Sequence, residues 1–240
     1  MRTRTATNAA LVFTLVAGAV LFAPDRAHAA GPVTSGTGWK INAPRITHID
    51  TKPWTIAFHD TASRSKLTPY LKNTAAELSS RLGVTFTVTT RIVPITRGEC
   101  VTGHTISYRY MSKPDPAKPT SSFTGSCGNT QHAADGAYVY INSDYWRTNS
   151  GITEPTRMNV IWHESGHAVG LGHPNTCPRD KTGKKPLMCA SGANGYNDLR
   201  TRRYTTWEAT GLRRLVTNRA YAAPALPKPI STVIGVLEHP

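Results

Sequence analysis

The 240-residue chain carries 28 Lys and Arg against 14 Asp and Glu, with 39% hydrophobic and 18% charged residues. That composition is too apolar for a disordered chain, and no collagen-like, coiled-coil or solenoid pattern is present. The formal net charge of +14 bears on solubility and partners rather than on fold.

Residues 1–29 read as a secretory signal. Arg2 and Arg4 precede an uncharged, mostly apolar run from Ala9 to Ala23, which Pro24 ends before Ala27-His28-Ala29. Positive end, short apolar stretch and A-x-A are the three parts of an export signal. The run falls short of the roughly 20 residues of a membrane span. Without this segment the charge stays near +12, so the mature chain is still strongly basic. Export makes the four cysteines an even set in an oxidising compartment, and two disulfides are expected. Of the three pairings, Cys100–Cys127 and Cys177–Cys189 are favoured, because neighbours in sequence close short loops.

Residues 30–52 are rich in Gly, Pro and Thr and read as an N-terminal arm. Trp54, Ile56 and Phe58 alternate with Thr55, Ala57 and His59, predicting a half-buried strand. Thr68-Pro69 and Gly83 bracket a predicted helix, with Leu67, Leu71, Ala75, Leu78 and Leu82 on one face. Val84, Phe86 and Val88 predict a second strand, and Ile106, Tyr108 and Tyr110 a third. Lys113 to Asn129 is Pro/Ser/Gly-rich and reads as a loop, before a strand from Ala137 to Asn142. Pro155 opens a helix running to about Val169, and Thr205 with Glu208 forms a capping box for another. Residues 222–240 are a Pro-rich tail. The order of elements predicts an α+β fold.

The chemistry concentrates in His163-Glu164-Ser165-Gly166-His167-Ala168-Val169-Gly170-Leu171-Gly172-His173. Helical residues four apart share a face, so His163 and His167 can grip one ion. Glu164 sits beside the first ligand and reaches the solvent side of the metal. Gly170 can take a positive φ, ending the helix so that His173 completes the set from a loop. Three histidines with the last position left to water make a catalytic type of zinc site. At this chain's own frequencies, H-E-x-x-H arises about once in 120 such chains, and about once in 40,000 with the glycine and third histidine added. Chance is therefore a poor account of it.

The stretch resembles the metzincin clan of zinc endopeptidases, whose motif H-E-x-x-H-x-x-G-x-x-H is followed by a methionine turn. The resemblance spans residues 53–221 as the metalloprotease domain. It implies a mixed sheet plus helix in the N-terminal part, with the zinc-binding helix, Met-turn and C-terminal helix in the lower part. By the same resemblance Met188, in Pro186-Leu187-Met188-Cys189-Ala190, packs under the zinc ligands. A Cys177–Cys189 bridge would tie that turn to the loop after His173. Pro174 is serralysin-like, yet no Gly/Asp-rich calcium repeats follow, and calcium is without support. Snapalysins use aspartate as third ligand where this chain has His173, and the matrixin propeptide cysteine motif is absent. Ala190 stands where astacin-like and serralysin-like members carry a tyrosine. Tyr196 and Tyr204 are the candidates for a transition-state or pocket tyrosine, with packing as their more ordinary role.

The resemblance implies a secreted, monomeric, Zn2+-dependent endopeptidase acting on protein or peptide. The ion acidifies water and polarises the scissile carbonyl, while Glu164 is the general base. In relatives an edge strand before the zinc helix pairs with extended substrate, which points to Ala137–Asn142. His59, His104 and His132 are expected to be surface or satisfied side chains, with an accessory metal site at His132 and Asp135 as the alternative. Arg200, Arg202, Arg203, Arg213, Arg214 and Arg219 make the late segment basic. They suggest the alternative of a secreted non-catalytic zinc protein that binds anionic cell-envelope polymers. Nucleic acid is not an expected partner, and no membrane span is expected in the mature chain.

Overall fold

The computed structural model describes residues 31–189 and 203–222. The signal segment, Tyr196, Arg200, Arg202 and nearly all of the tail lie outside them. Nine strands run in chain order as β1 (Ser35–Gly36), β2 (Trp39–Ile41), β3 (His48–Ile49), β4 (Trp54–Phe58), β5 (Phe86–Ile92), β6 (Thr105–Met111), β7 (Phe123–Gly128), β8 (Ala133–Asn142) and β9 (Leu171–Gly172). Helices α1 (Thr61–Leu82), α2 (Glu154–Ala168) and α3 (Thr206–Thr217) interleave with them. The fold is α+β with a mostly parallel main sheet. Its order is β5-β4-β6-β8, with β4/β5, β4/β6 and β6/β8 parallel. β3 pairs parallel with the first residues of β8, and β7 pairs antiparallel along most of the remainder.

The predicted half-buried strand at Trp54–Phe58 is instead buried at Ile56, Ala57 and Phe58 together. Parallel sheets are covered on both faces, so strict alternation gives way to near-continuous burial, with only Thr55 partly exposed. Helix α1 begins at Thr61, well before the predicted Thr68-Pro69 start. Asp60 is its cap, with Oδ1 accepting the Ser63 N–H at 2.6 Å. Thr68 is interior, and its hydroxyl donates to the Arg64 carbonyl at 2.6 Å. Pro69 forfeits one helical hydrogen bond, while the added turns bury Ser63 and Leu67 completely. Gly83 ends the helix at φ 63°, its N–H bonded to the Ser79 carbonyl at 3.0 Å.

Two further segments differ from expectation. The stretch 113–129 contains strand β7, which is buried from Phe123 to Cys127. Consequently the strand expected at a sheet edge, Ala137–Asn142, lies between β6 and β7 through Tyr140, and β7 is the outer strand there. Small residues hid it. Gly125 sits so close to the Tyr138 ring that a Cβ would lie 2.0 Å from it, so the pattern lacks the bulky alternation of an ordinary strand. The N-terminal arm likewise supplies β1, β2 and β3, and buries Trp39, Ile41, Ile46 and Ile49 in the main core. β2 pairs with β9, matching Ile41 to Leu171 and Lys40 to Gly172. The arm thereby fixes the chain leaving α2.

Candidate metal centre

Helix α2 has Pro155 in its first turn, as its sequence predicts, and Thr153 as its cap. Its last turns bury His163, Glu164, Ser165 and His167, none more than 1% exposed. Burial of four polar side chains in succession requires partners for each. The Ser165 hydroxyl donates to the Ile161 carbonyl at 2.6 Å and has no second proton, so the Tyr108 hydroxyl must donate to Ser165 Oγ at 2.7 Å. Burial pushes the Tyr108 and Tyr145 hydroxyls well above their usual range, with the Glu164 charge adding to the rise.

The helix ends where the chain must turn back. Gly170 adopts φ 110°, and a Cβ there would meet Ile46 Cγ2 at 2.7 Å, so both conformation and space demand glycine. β9 follows, and His173 arrives just beyond it. The three imidazoles converge: Nε2 of His163 lies 2.9 Å from Nε2 of His167, and Nε2 of His173 lies 3.2 Å from each.

Their tautomers follow from the outer nitrogens. His163 Nδ1 is 3.0 Å from the Leu187 carbonyl, and His167 Nδ1 is 2.8 Å from the Leu171 carbonyl. A carbonyl only accepts, so each Nδ1 carries the proton, and in the neutral rings each Nε2 presents a lone pair. Two such lone pairs at 2.9 Å repel each other unless a cation lies between them. A tetrahedral ion about 2.0–2.1 Å from each nitrogen would set the nitrogens about 3.3–3.4 Å apart. The spacing and donor chemistry therefore fit a divalent metal. Among the described residues this is the one group of three or more His, Cys, Asp or Glu able to hold one.

Met188 lies beneath the ligand helix. It is 1% exposed, and a Cβ on Gly166 would come within 2.7 Å of its sulfur. Gly166 thus lets the thioether press against the backbone between His163 and His167. Both favoured disulfides form, and Cys177–Cys189 joins the loop after His173 to the Met188 turn. The buried carboxylate of Glu208 takes the Met188 N–H at 2.8 Å on Oε1, and the Thr205 N–H at 2.7 Å and hydroxyl on Oε2. Burial pushes the Glu208 carboxyl up, against the opposing pull of these hydrogen bonds.

Glu164, expected to reach the solvent side of a metal, has no exposed surface itself. Its side chain is fully enclosed, and Oε2 accepts the Thr124 hydroxyl at 2.6 Å. The cause is β7, which lies against α2; Ser126 on the same strand donates to the His167 carbonyl at 2.6 Å. The signal for both contacts was Thr124 and Ser126 standing two apart, on one face of a strand. Tyr204 takes the packing role: it is buried against Trp162 and donates to the Trp162 carbonyl at 2.7 Å. His132 and Asp135 join no ligand group; Asp135 instead lies 3.7 Å from His104, whose Nε2 meets Asp50 at 2.7 Å. His59 Nδ1 accepts the Ile95 N–H at 2.9 Å. Arg203, Arg213 and Arg214 are exposed, while Arg219 donates to the Ile49 and Asp50 carbonyls. A cavity of about 610 Å³ at the end of β8, lined by Thr120, Asn142, Asp144 and Tyr145, does not include the three imidazoles.

No protein-family model matches the sequence, and no curated protein matches it. No helix among the described residues is long and apolar enough to cross a membrane.

Proposed function

We propose that the chain is an exported zinc endopeptidase of the metzincin type, with His163, His167 and His173 as ligands and Glu164 as general base. The observation that carries this reading is the convergence of three imidazole Nε2 atoms within 3.2 Å. The family reading draws support from Met188 beneath the ligand helix and from α3 following it. Two disulfides and the signal-like residues 1–29 support export. When bound, a divalent ion at three neutral imidazoles supplies a Lewis acid that polarises a carbonyl and acidifies water. The Leu171 and Leu187 carbonyls hold the two helical rings in the ligand tautomer. Glu164 takes the proton of the attacking water and passes it to the departing amine nitrogen. Thr124 orients that carboxylate through Oε2. An extended peptide would add along β7, the outer strand, rather than β8.

The enclosure of Glu164 beneath Thr124 favours a second reading, in which the metal is structural and the basic surface holds an anionic cell-envelope polymer. One comparison separates the two. Purified wild type is expected to cleave a denatured protein and to stop when a chelator removes the metal. Glu164→Gln should lower kcat by about 10²–10⁴ with metal content unchanged. A variant as active as wild type would overturn the catalytic reading. Absence of cleavage by metal-loaded wild type, with metal-dependent retention on an anionic polymer, would establish the second.

A further inference from the structure

One peptide unit in the Met188 turn is gripped from both ends. Its carbonyl, Leu187 O, accepts the Nδ1 proton of His163 at 3.0 Å. Its N–H, on Met188, donates to Glu208 Oε1 at 2.8 Å. The Glu208 side chain is fully buried and its other oxygen is taken by Thr205. A peptide is a resonance unit, so an anion at the N–H end drives electron density onto the oxygen. Hydrogen bonds in a chain polarise one another, and those to ionised acceptors are the strong ones. The sequence marks Glu208 only as half of a helix capping box. Capping alone needs the Thr205 contact; the Met188 contact lies outside it.

We propose that Glu208 is a positioning residue of the metal centre, acting through the Leu187–Met188 peptide to hold and polarise the acceptor of His163 Nδ1–H and so tighten the grip of His163 on a divalent cation. The inference rests on the metal reading above. His167 provides the internal control, because its Nδ1 is held by a different peptide, at Leu171. Partners of this kind, one step out from a ligating histidine, typically contribute 10–100-fold in metal affinity.

The test is a zinc titration of the full chain against a chromophoric chelator at pH 8, comparing wild type, Glu208→Gln and Thr205→Val. Glu208→Gln keeps size and shape but removes the charge, and should weaken zinc binding by about 10–100-fold. Thr205→Val removes the hydroxyl contact of the cap and leaves Met188 on Oε1, so its zinc affinity should stay within about threefold of wild type. Wild-type affinity in Glu208→Gln, or equal losses in both variants, would overturn the proposal. A second measurement needs no variant. Adding one equivalent of zinc to the metal-free wild type should move the Met188 amide proton downfield, since a ligated His163 donates more strongly to Leu187 O. An unmoved Met188 resonance would overturn the proposal even if Glu208→Gln failed to fold. Wild type that binds no zinc would remove the metal reading and this inference together. Tight wild-type binding matched by Glu208→Gln would remove this inference alone.

Discussion

Helices α1 and α2 both lie against the main sheet, α1 near β4, β5 and β6, and α2 near β7 and β8. They bury opposite chemistries. α1 turns Leu67, Leu71, Ala75, Leu78 and Leu82 inward, most of them wholly enclosed. The last turns of α2 enclose His163, Glu164, Ser165 and His167 instead. Apolar burial is non-directional and tolerates a range of partners, whereas each buried polar group must meet a matching atom at hydrogen-bond distance. α1 therefore contributes mainly apolar burial, whereas α2, beyond its buried Val160, Ile161 and Trp162, spends the interior of its last turns on geometry. Fixed geometry is what a metal ligand needs.

The largest effect that would sharpen the contrast comes from His167→Ala. Losing one of three ligands should weaken zinc binding more than about 1,000-fold in chelator competition, because two imidazoles leave the ion mostly hydrated. The fold should survive in the metal-free state, with secondary structure by circular dichroism close to wild type. Leu71→Ala on α1 is the mirror experiment. It should cost about 2–5 kcal/mol in denaturant unfolding, as truncating a fully buried leucine does, while zinc affinity of the folded protein stays within about threefold. Were Leu71→Ala to weaken zinc as His167→Ala does, the division of labour between the helices would be wrong.

A smaller change probes the polar side by itself. Ser165→Ala leaves the Tyr108 hydroxyl buried without its acceptor, and should cost about 1–3 kcal/mol. Replacing Tyr108 by Phe in the same chain removes the stranded donor as well. The double variant should regain part of that loss, read as a coupling energy in a double-mutant cycle. Additive losses would mean that the pair makes no real contact.

The contrast also explains what the sequence let one read. The convergence of the α2 histidines was legible because helical spacing alone puts His163 and His167 on one face and Gly170 at the turn. Gly83, the α1 apolar stripe and both disulfide pairings were legible for the same local reason. The start of α1 was not, since Thr68-Pro69 imitates a helix entrance while Asp60, the working cap, stands seven residues before Leu67, the first of the stripe. Strand β7 was missed because glycine and serine carry its pairing, and pairing with β8 is a long-range property. The enclosure of Glu164 followed from that omission: no spacing within the motif says that Thr124, 40 residues upstream, will cover it. Glu208 was visible as a cap. Its hold on Met188 is tertiary.

The smallest expected effect asks whether the buried polar groups of α2 account for all of the protein's acid sensitivity. His48, on β3, is 3% exposed, and its ring is held below the ordinary 6.5 chiefly by burial and next by the Arg219 charge. Asp50 pulls the other way, and His132 adds slightly to the lowering. The unfolded chain therefore takes up a proton at this site near pH 6.5, before the folded chain does. Stability falls as pH drops from about 6.5 towards the lower folded value, and this site adds no further loss below it. Metal binding at imidazoles is itself pH-dependent, so the measurement belongs on the metal-free protein. There, His48→Gln should flatten the decline in unfolding free energy just below pH 6.5 without changing zinc affinity at pH 8. An unchanged slope in His48→Gln would assign this site no share of the acid sensitivity. A flattened one would give the β3 end of the sheet, where the N-terminal arm joins β8, its own share.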